Sequence, residues 1–131
     1  MIDKINDCEK YYYYDKENDC VVECTMNEYK KVDPKVRDNN RIKCDKFSLG
    51  SVSSDVDNSY GLKTYTISTI CLMKDHRSMF DTSINPTIFE TMVFTDDKNY
   101  NGYYERHTCL KWAKIAHDAL ILKILRGEEN D

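Results

Sequence analysis

Glu90 and His117 are the two residues of this chain whose chemistry conflicts with their setting. Glu90 lies in the run Thr87-Ile88-Phe89-Glu90-Thr91-Met92-Val93-Phe94. In a strand alternate side chains share a face, so Ile88, Glu90, Met92 and Phe94 are expected to point one way. That sets a carboxylate among large apolar groups. His117 falls in the middle of an apolar stripe formed by Leu110, Ala113, Leu120, Ile121 and Ile124 at three- and four-residue steps. A buried carboxylate must be paired or protonated, and a buried imidazole needs partners for both nitrogens. Packing the helix on that face of the strand predicts that Glu90 and His117 satisfy each other.

Two uses of such a pair stand side by side. In one, Glu90 and His117, with Thr91 nearby, are a polar pair that fixes the register of the helix. In the other they line a pocket, where Glu90 is a general base or orients His117, and Asp75 and His76 complete the set. His76, His117 and Glu90 would then be the catalytic residues, and Asp75, Thr91 and Arg106 would bind. The same two histidines and one carboxylate match a metal-ligand set in type but not in spacing, and Cys20-x-x-x-Cys24 lacks a second ligand pair. No metal and no cofactor are expected. The chain carries no G-x-S-x-G elbow, phosphate-binding glycine loop or dinucleotide fingerprint.

The elements that must hold these residues read as α+β. Tyr11–Tyr14 and Cys20–Cys24 flank the turn Asp15-Lys16-Glu17-Asn18-Asp19 as a hairpin. Thr25 and Glu28 have capping-box spacing for a short helix, ended by Pro34 and Asp38-Asn39-Asn40. Arg41 to Phe47, Lys63 to Met73, Thr87 to Phe94 and Tyr103 to His107 read as strands. Lys63 to Met73 begins alternating and becomes apolar on both sides, so it is expected to be central. Thr108 to Leu125 reads as the last helix, with Thr108 as its cap and Arg126-Gly127 at its end. The predicted architecture is an antiparallel sheet of four to six strands with a C-terminal amphipathic helix packed on one face. Residues 1–131 are read as one domain, with 1–10 loosely held and 48–62 a long loop.

Composition narrows the classes further. Of 131 residues, 40% are apolar and 32% charged, with a formal net charge of −4 and no Lys/Arg block. Duplex DNA binding through a basic footprint is therefore not expected. A tyrosine run could stack single-stranded bases, but arginines are absent beside it, and a packed hairpin is the better use. No stretch reaches the ~18 apolar residues of a membrane helix, and Met1 to Asp7 lacks the apolar core of a secretory signal. The expected location is cytosolic, with the six cysteines reduced and Cys71 a small core residue.

Two segments carry a resemblance. Ile67-Ser68-Thr69-Ile70-Cys71-Leu72-Met73-Lys74-Asp75-His76 and Pro86-Thr87-Ile88-Phe89-Glu90-Thr91-Met92-Val93-Phe94, followed by Ala113 to His117, resemble a family of small bacteriophage and prophage proteins. That family carries an I-S-T-x-x-L-x-x-D-H strand, an F-E-T-M-x-F strand and an A-x-x-x-H helix. Arg106-His107-Thr108 stands where the family usually has Arg-Tyr-Ser. Tyr14-Asp15, Val21-Val22, Glu28-Tyr29 and Asn40-Arg41 resemble it more loosely. The chain departs from the pattern at Met73-Lys74, at Arg77 to Asn85, and in a longer loop after Phe47. The resemblance implies a phage origin and a location in the host cytoplasm. It marks Asp75, His76, Glu90, Thr91 and His117, the residues singled out on chemical grounds. The leading expectation is a non-enzymatic accessory protein that binds a host or phage protein or a small ligand. Inhibition of a bacterial defence system such as a CRISPR nuclease is one form of this. The alternative is a small hydrolase using His117, Glu90 and His76 on a nucleotide-like substrate.

Overall fold

A computed structural model of the chain describes residues 10–50, 62–76 and 85–127. The elements are β1 (Lys10–Asp15), β2 (Cys20–Thr25), α1 (Met26–Lys31), α2 (Pro34–Arg37), β3 (Arg41–Gly50), β4 (Leu62–Cys71), β5 (Phe89–Thr95), β6 (Tyr104–His107) and α3 (Leu110–Leu125). The fold is α+β: an antiparallel sheet ordered β3-β4-β5-β6, a separate β1-β2 hairpin, and α3 packed on the larger sheet. The six strands among the described residues thus divide into two sheets. β4 is central, as its sequence predicts.

The hairpin forms because the tyrosines pack on both of its faces. Tyr12 and Tyr14 enter a core cluster with Cys71, Ile88, Phe89 and Ala113, while Tyr11 lies against Tyr29 of α1 at 5.4 Å between ring centroids. The Tyr12 amide donates to the Met73 carbonyl beyond the end of β4. The Tyr14 hydroxyl donates to Asp19, which also accepts from Lys114 of α3. Burial first, and then the bond to Asp19, push the Tyr14 phenol up to about 12. The capping box expected at Thr25 and Glu28 is present, with Glu28 N–H donating to Thr25 Oγ1 and Thr25 N–H donating to Glu28 Oε1.

Two boundaries differ from the sequence reading. Ser48, Leu49 and Gly50 continue β3 and Leu62 opens β4, because the backbone pairing Ser48↔Thr64, Leu49↔Lys63 and Gly50↔Leu62 carries the ladder past the polar serine. The rest of the predicted 48–62 loop, residues 51–61, lies outside the described residues, as do residues 1–9 and 77–84. The N-cap of helix α3 lies one residue after the expected one. Cys109 is its N-cap and makes no side-chain capping bond, so Thr108 does not cap it. Its other end follows expectation: Gly127 takes φ +73°, a left-handed conformation open to glycine, and its N–H donates to the Ile124 carbonyl.

The core beneath α3 is built in rows. One apolar cluster joins Ala113 to Cys71 and Phe89, and a second joins Leu120 and Ile124 to Tyr65, Ile67 and Val93. Between them lies a row of three polar residues, Thr69, Thr91 and His117, each without exposed surface. No described helix is long and apolar enough to cross a membrane.

Candidate functional site

The polar row follows from register. Thr69 of β4 pairs directly with Thr91 of β5, so their side chains stand together on the face that meets α3. On the helix, His117 sits one turn after Ala113 and one turn before Leu120, aimed at the same face. Its Nδ1 lies 2.7 Å from Thr69 Oγ1, and Thr69 Oγ1 lies 2.6 Å from Thr91 Oγ1. Nε2 reaches outward to Asp45 Oδ2 of the edge strand β3, at 2.7 Å. Asp45 is the wet end of the chain of groups, with its side chain 47% exposed.

A carboxylate can only accept, so a neutral imidazole bonded to Asp45 donates from Nε2 and accepts at Nδ1. The hydrogens then run in one direction: Thr91 hydroxyl to Thr69, Thr69 hydroxyl to Nδ1, Nε2–H to Asp45. Every polar atom of the row is used. Among the described residues no buried side-chain nitrogen or oxygen lacks a partner.

This arrangement corrects the expected pairing of Glu90 with His117. Glu90, Met92 and Phe94 do not form the core-facing set of β5, and Ile88, just before the strand, is buried in the cluster with Phe89. Phe89, Thr91 and Val93 do, with relative exposures of 2%, 0% and 2%. Glu90 lies on the opposite face of the sheet, where Arg106 stands directly across from it on β6. Arg106 Nε donates to Glu90 Oε2 at 3.0 Å, and its guanidinium also lies over the Tyr104 ring. Alternation does not distinguish the two faces, because both sets of alternate residues in β5 are apolar. Glu90 and His117 therefore satisfy different partners. Replacing Glu90 by alanine removes one cross-strand ion pair between a 14% exposed carboxylate and a 38% exposed arginine, and is expected to cost about 1–2 kcal/mol in urea unfolding. A loss of about 3 kcal/mol or more would mean that Glu90 holds more of the fold than its pair with Arg106.

The other expected site residues are dispersed. Asp75 Oδ1 accepts from the Thr87 amide at 2.8 Å, and the exposed His76 donates its own amide to the Thr87 carbonyl. Asp75 and His76 thereby close the connection between β4 and β5 through backbone contacts. His76, Glu90 and His117 do not form a common ligand set. Among the described residues the group whose ligand atoms can share one cation is Asp45, His117 and Asp118. Burial pushes the Cys71 thiol up to about 12, so it is a packed thiol at neutral pH, as its apolar run predicts.

Asp45, His117 and Thr69 have the composition of an acid–imidazole–hydroxyl relay. The hydroxyl, however, is fully buried and bonded on both sides, to Nδ1 and to Thr91. It has no path to an electrophile, and the arrangement orients groups without presenting a nucleophile.

Sequence reasoning passed over a second feature of α3. At 100° per residue, Trp112, Ile115, Ala119 and Leu122 lie on the side of the helix opposite His117. Trp112, Ile115 and Leu122 are 61%, 45% and 50% exposed. The helix is apolar on two sides, and only one of them is covered by the sheet. Lys111 and Lys123 border the outer stripe on its two flanks.

Comparison with known proteins finds no matching family model, no matching curated protein and no matching solved structure.

Proposed function

We propose that this chain is a bacteriophage accessory protein of the host cytoplasm that acts by binding another protein, of the host or of the phage, through the outer face of α3. The observation that carries the reading is the exposed stripe Trp112, Ile115, Ala119 and Leu122. Its spacing of i, i+3, i+7 and i+10 is that of a helix that seats its anchors in an apolar groove. A tryptophan in the stripe is the residue type that most often dominates such contacts. Lys111 and Lys123 suit a groove with an acidic rim. The phage assignment rests on the Ile67–His76 and Pro86–Phe94 motifs. The sealing of Thr69 and Thr91 favours binding over hydrolysis.

A defence nuclease of the CRISPR type is the partner class proposed. The test is phage plating on bacteria that carry an active CRISPR nuclease and express either the wild-type chain or the triple variant Trp112→Asp, Ile115→Asp, Leu122→Asp. Wild type is expected to restore plating by about 100-fold or more, and the variant to lose that effect at an unchanged melting temperature, since these side chains are exposed. Plating left unrestored by wild type removes the nuclease as target. Equal restoration by a folded variant removes α3 as the binding face.

A further inference from the structure

The geometry points to a divalent transition-metal site where edge strand β3 meets helix α3, with Asp45, His117 and Asp118 as ligands. Their three ligand atoms lie within 4.8 Å of one another. Bonds of about 2.0–2.2 Å from zinc to nitrogen or oxygen place two ligands of a tetrahedral ion about 3–4 Å apart. The set therefore needs only small rotations of two carboxylates, whose side chains are 47% and 58% exposed. The imidazole needs none. His117 is fully buried and its far nitrogen is already held by Thr69 Oγ1, backed by Thr91. Metal-binding histidines are oriented by a hydrogen bond of this kind on the second ring nitrogen.

On binding, Nε2 gives up its proton to solvent and Nδ1 takes one up, so the imidazole now donates to Thr69 Oγ1; the Thr69 hydroxyl turns to donate to Thr91, and Thr91 gives up its own donation to Thr69. The Nε2 lone pair then faces the ion in place of Asp45. One nitrogen and two carboxylate donors favour first-row ions such as Zn²⁺, Co²⁺ or Mn²⁺ over magnesium or calcium, and water completes the coordination. Lys43 gives the site its regulation by competition. Its ammonium lies 2.7 Å from Asp118 Oδ1, so a monovalent cation already stands beside the ligands and must leave when the metal enters. The bound ion joins the outermost strand of the sheet to the helix, and so stabilises the fold by mass action.

The test is titration of the reduced chain with Co²⁺ alone, followed by visible absorption and by melting temperature. Wild type is expected to bind one ion with weak d–d bands and no sulfur-to-cobalt charge-transfer band, and to melt several degrees higher. Asp118→Asn, at a position 58% exposed where the change leaves the fold intact, is expected to weaken binding about tenfold or more, at least the scale seen when a partner outside the ligand set is lost. Lys43→Met is expected to tighten it severalfold. The proposal is overturned by absence of binding, by equal affinity of Asp118→Asn and wild type, or by an intense thiolate band that places the ion on the cysteines.

Discussion

Replacing His117 by alanine is expected to lower stability by about 4 kcal/mol, the largest effect of any single substitution considered. Two losses combine. Truncating a fully buried ring opens a cavity between the two apolar clusters, which in other cores costs about 3–5 kcal/mol for a large aromatic side chain. The Thr69 hydroxyl also loses its acceptor, although Thr91 remains beside it. Against a total of about 5–15 kcal/mol for a domain, such a loss removes a large share of the stability. It should appear as a drop of roughly 10 °C or more in melting temperature. Leucine at the same position refills most of the space, leaves the two threonines to each other and lets the half-exposed Asp45 turn to water. Its expected cost is about 1–2 kcal/mol. Urea unfolding of both variants gives the ordering. A leucine variant less stable than the alanine variant would show that the space left by the ring does not accept leucine's branched shape.

The second large effect belongs to Thr69. Valine has nearly its shape, so Thr69→Val removes the hydroxyl with little change in volume. Thr69 Oγ1 serves both His117 Nδ1 and Thr91 Oγ1, and its loss leaves two buried groups unmatched, at an expected cost of about 2–3 kcal/mol. Thr91→Val removes only the end of the row and is expected to cost about 1 kcal/mol. The double variant should cost less than the two singles added together, because both singles break the same Thr69–Thr91 bond. A double-mutant cycle in urea measures that coupling, and strict additivity would mean that the two hydroxyls do not interact.

Much of the architecture is legible in the chain. The tyrosine-rich hairpin, the capping box at Thr25, the central strand through Ile67 and Cys71 and the helix ending at Gly127 all follow from local rules that tertiary contacts do not overturn. The partner of His117 was not legible, for reasons that lie in particular residues. Along the run from Ile88 to Phe94, Ile88, Met92 and Phe94 form as apolar a set as Phe89 and Val93, so alternation alone gives no inward face. The neighbouring strand resolves it: Tyr65, Ile67 and Cys71 make one face of β4 strongly apolar, and Thr69 is the hydroxyl among them. Asp45 carried no signal, because Lys43 and Lys46 around it read as a solvated edge, and only the packing of α3 over β3 brings its carboxylate to an imidazole. The outer stripe of α3 was present in the sequence from the start. Attention to a single apolar side hid Trp112, Ile115 and Leu122 on the other.

The row of Thr69, Thr91 and His117 has a mechanical consequence. Sliding α3 along the sheet by one turn would set Ala113 or Ile121 over the threonine pair and press the imidazole among Tyr65, Ile67 and Val93 or against Cys71 and Phe89. Either shift strands several polar atoms at once, whereas purely oily surfaces would glide past one another at small cost. The helix thus has a single seat, indexed like a key in its slot, and its outward-facing tryptophan is presented at one fixed height above the sheet.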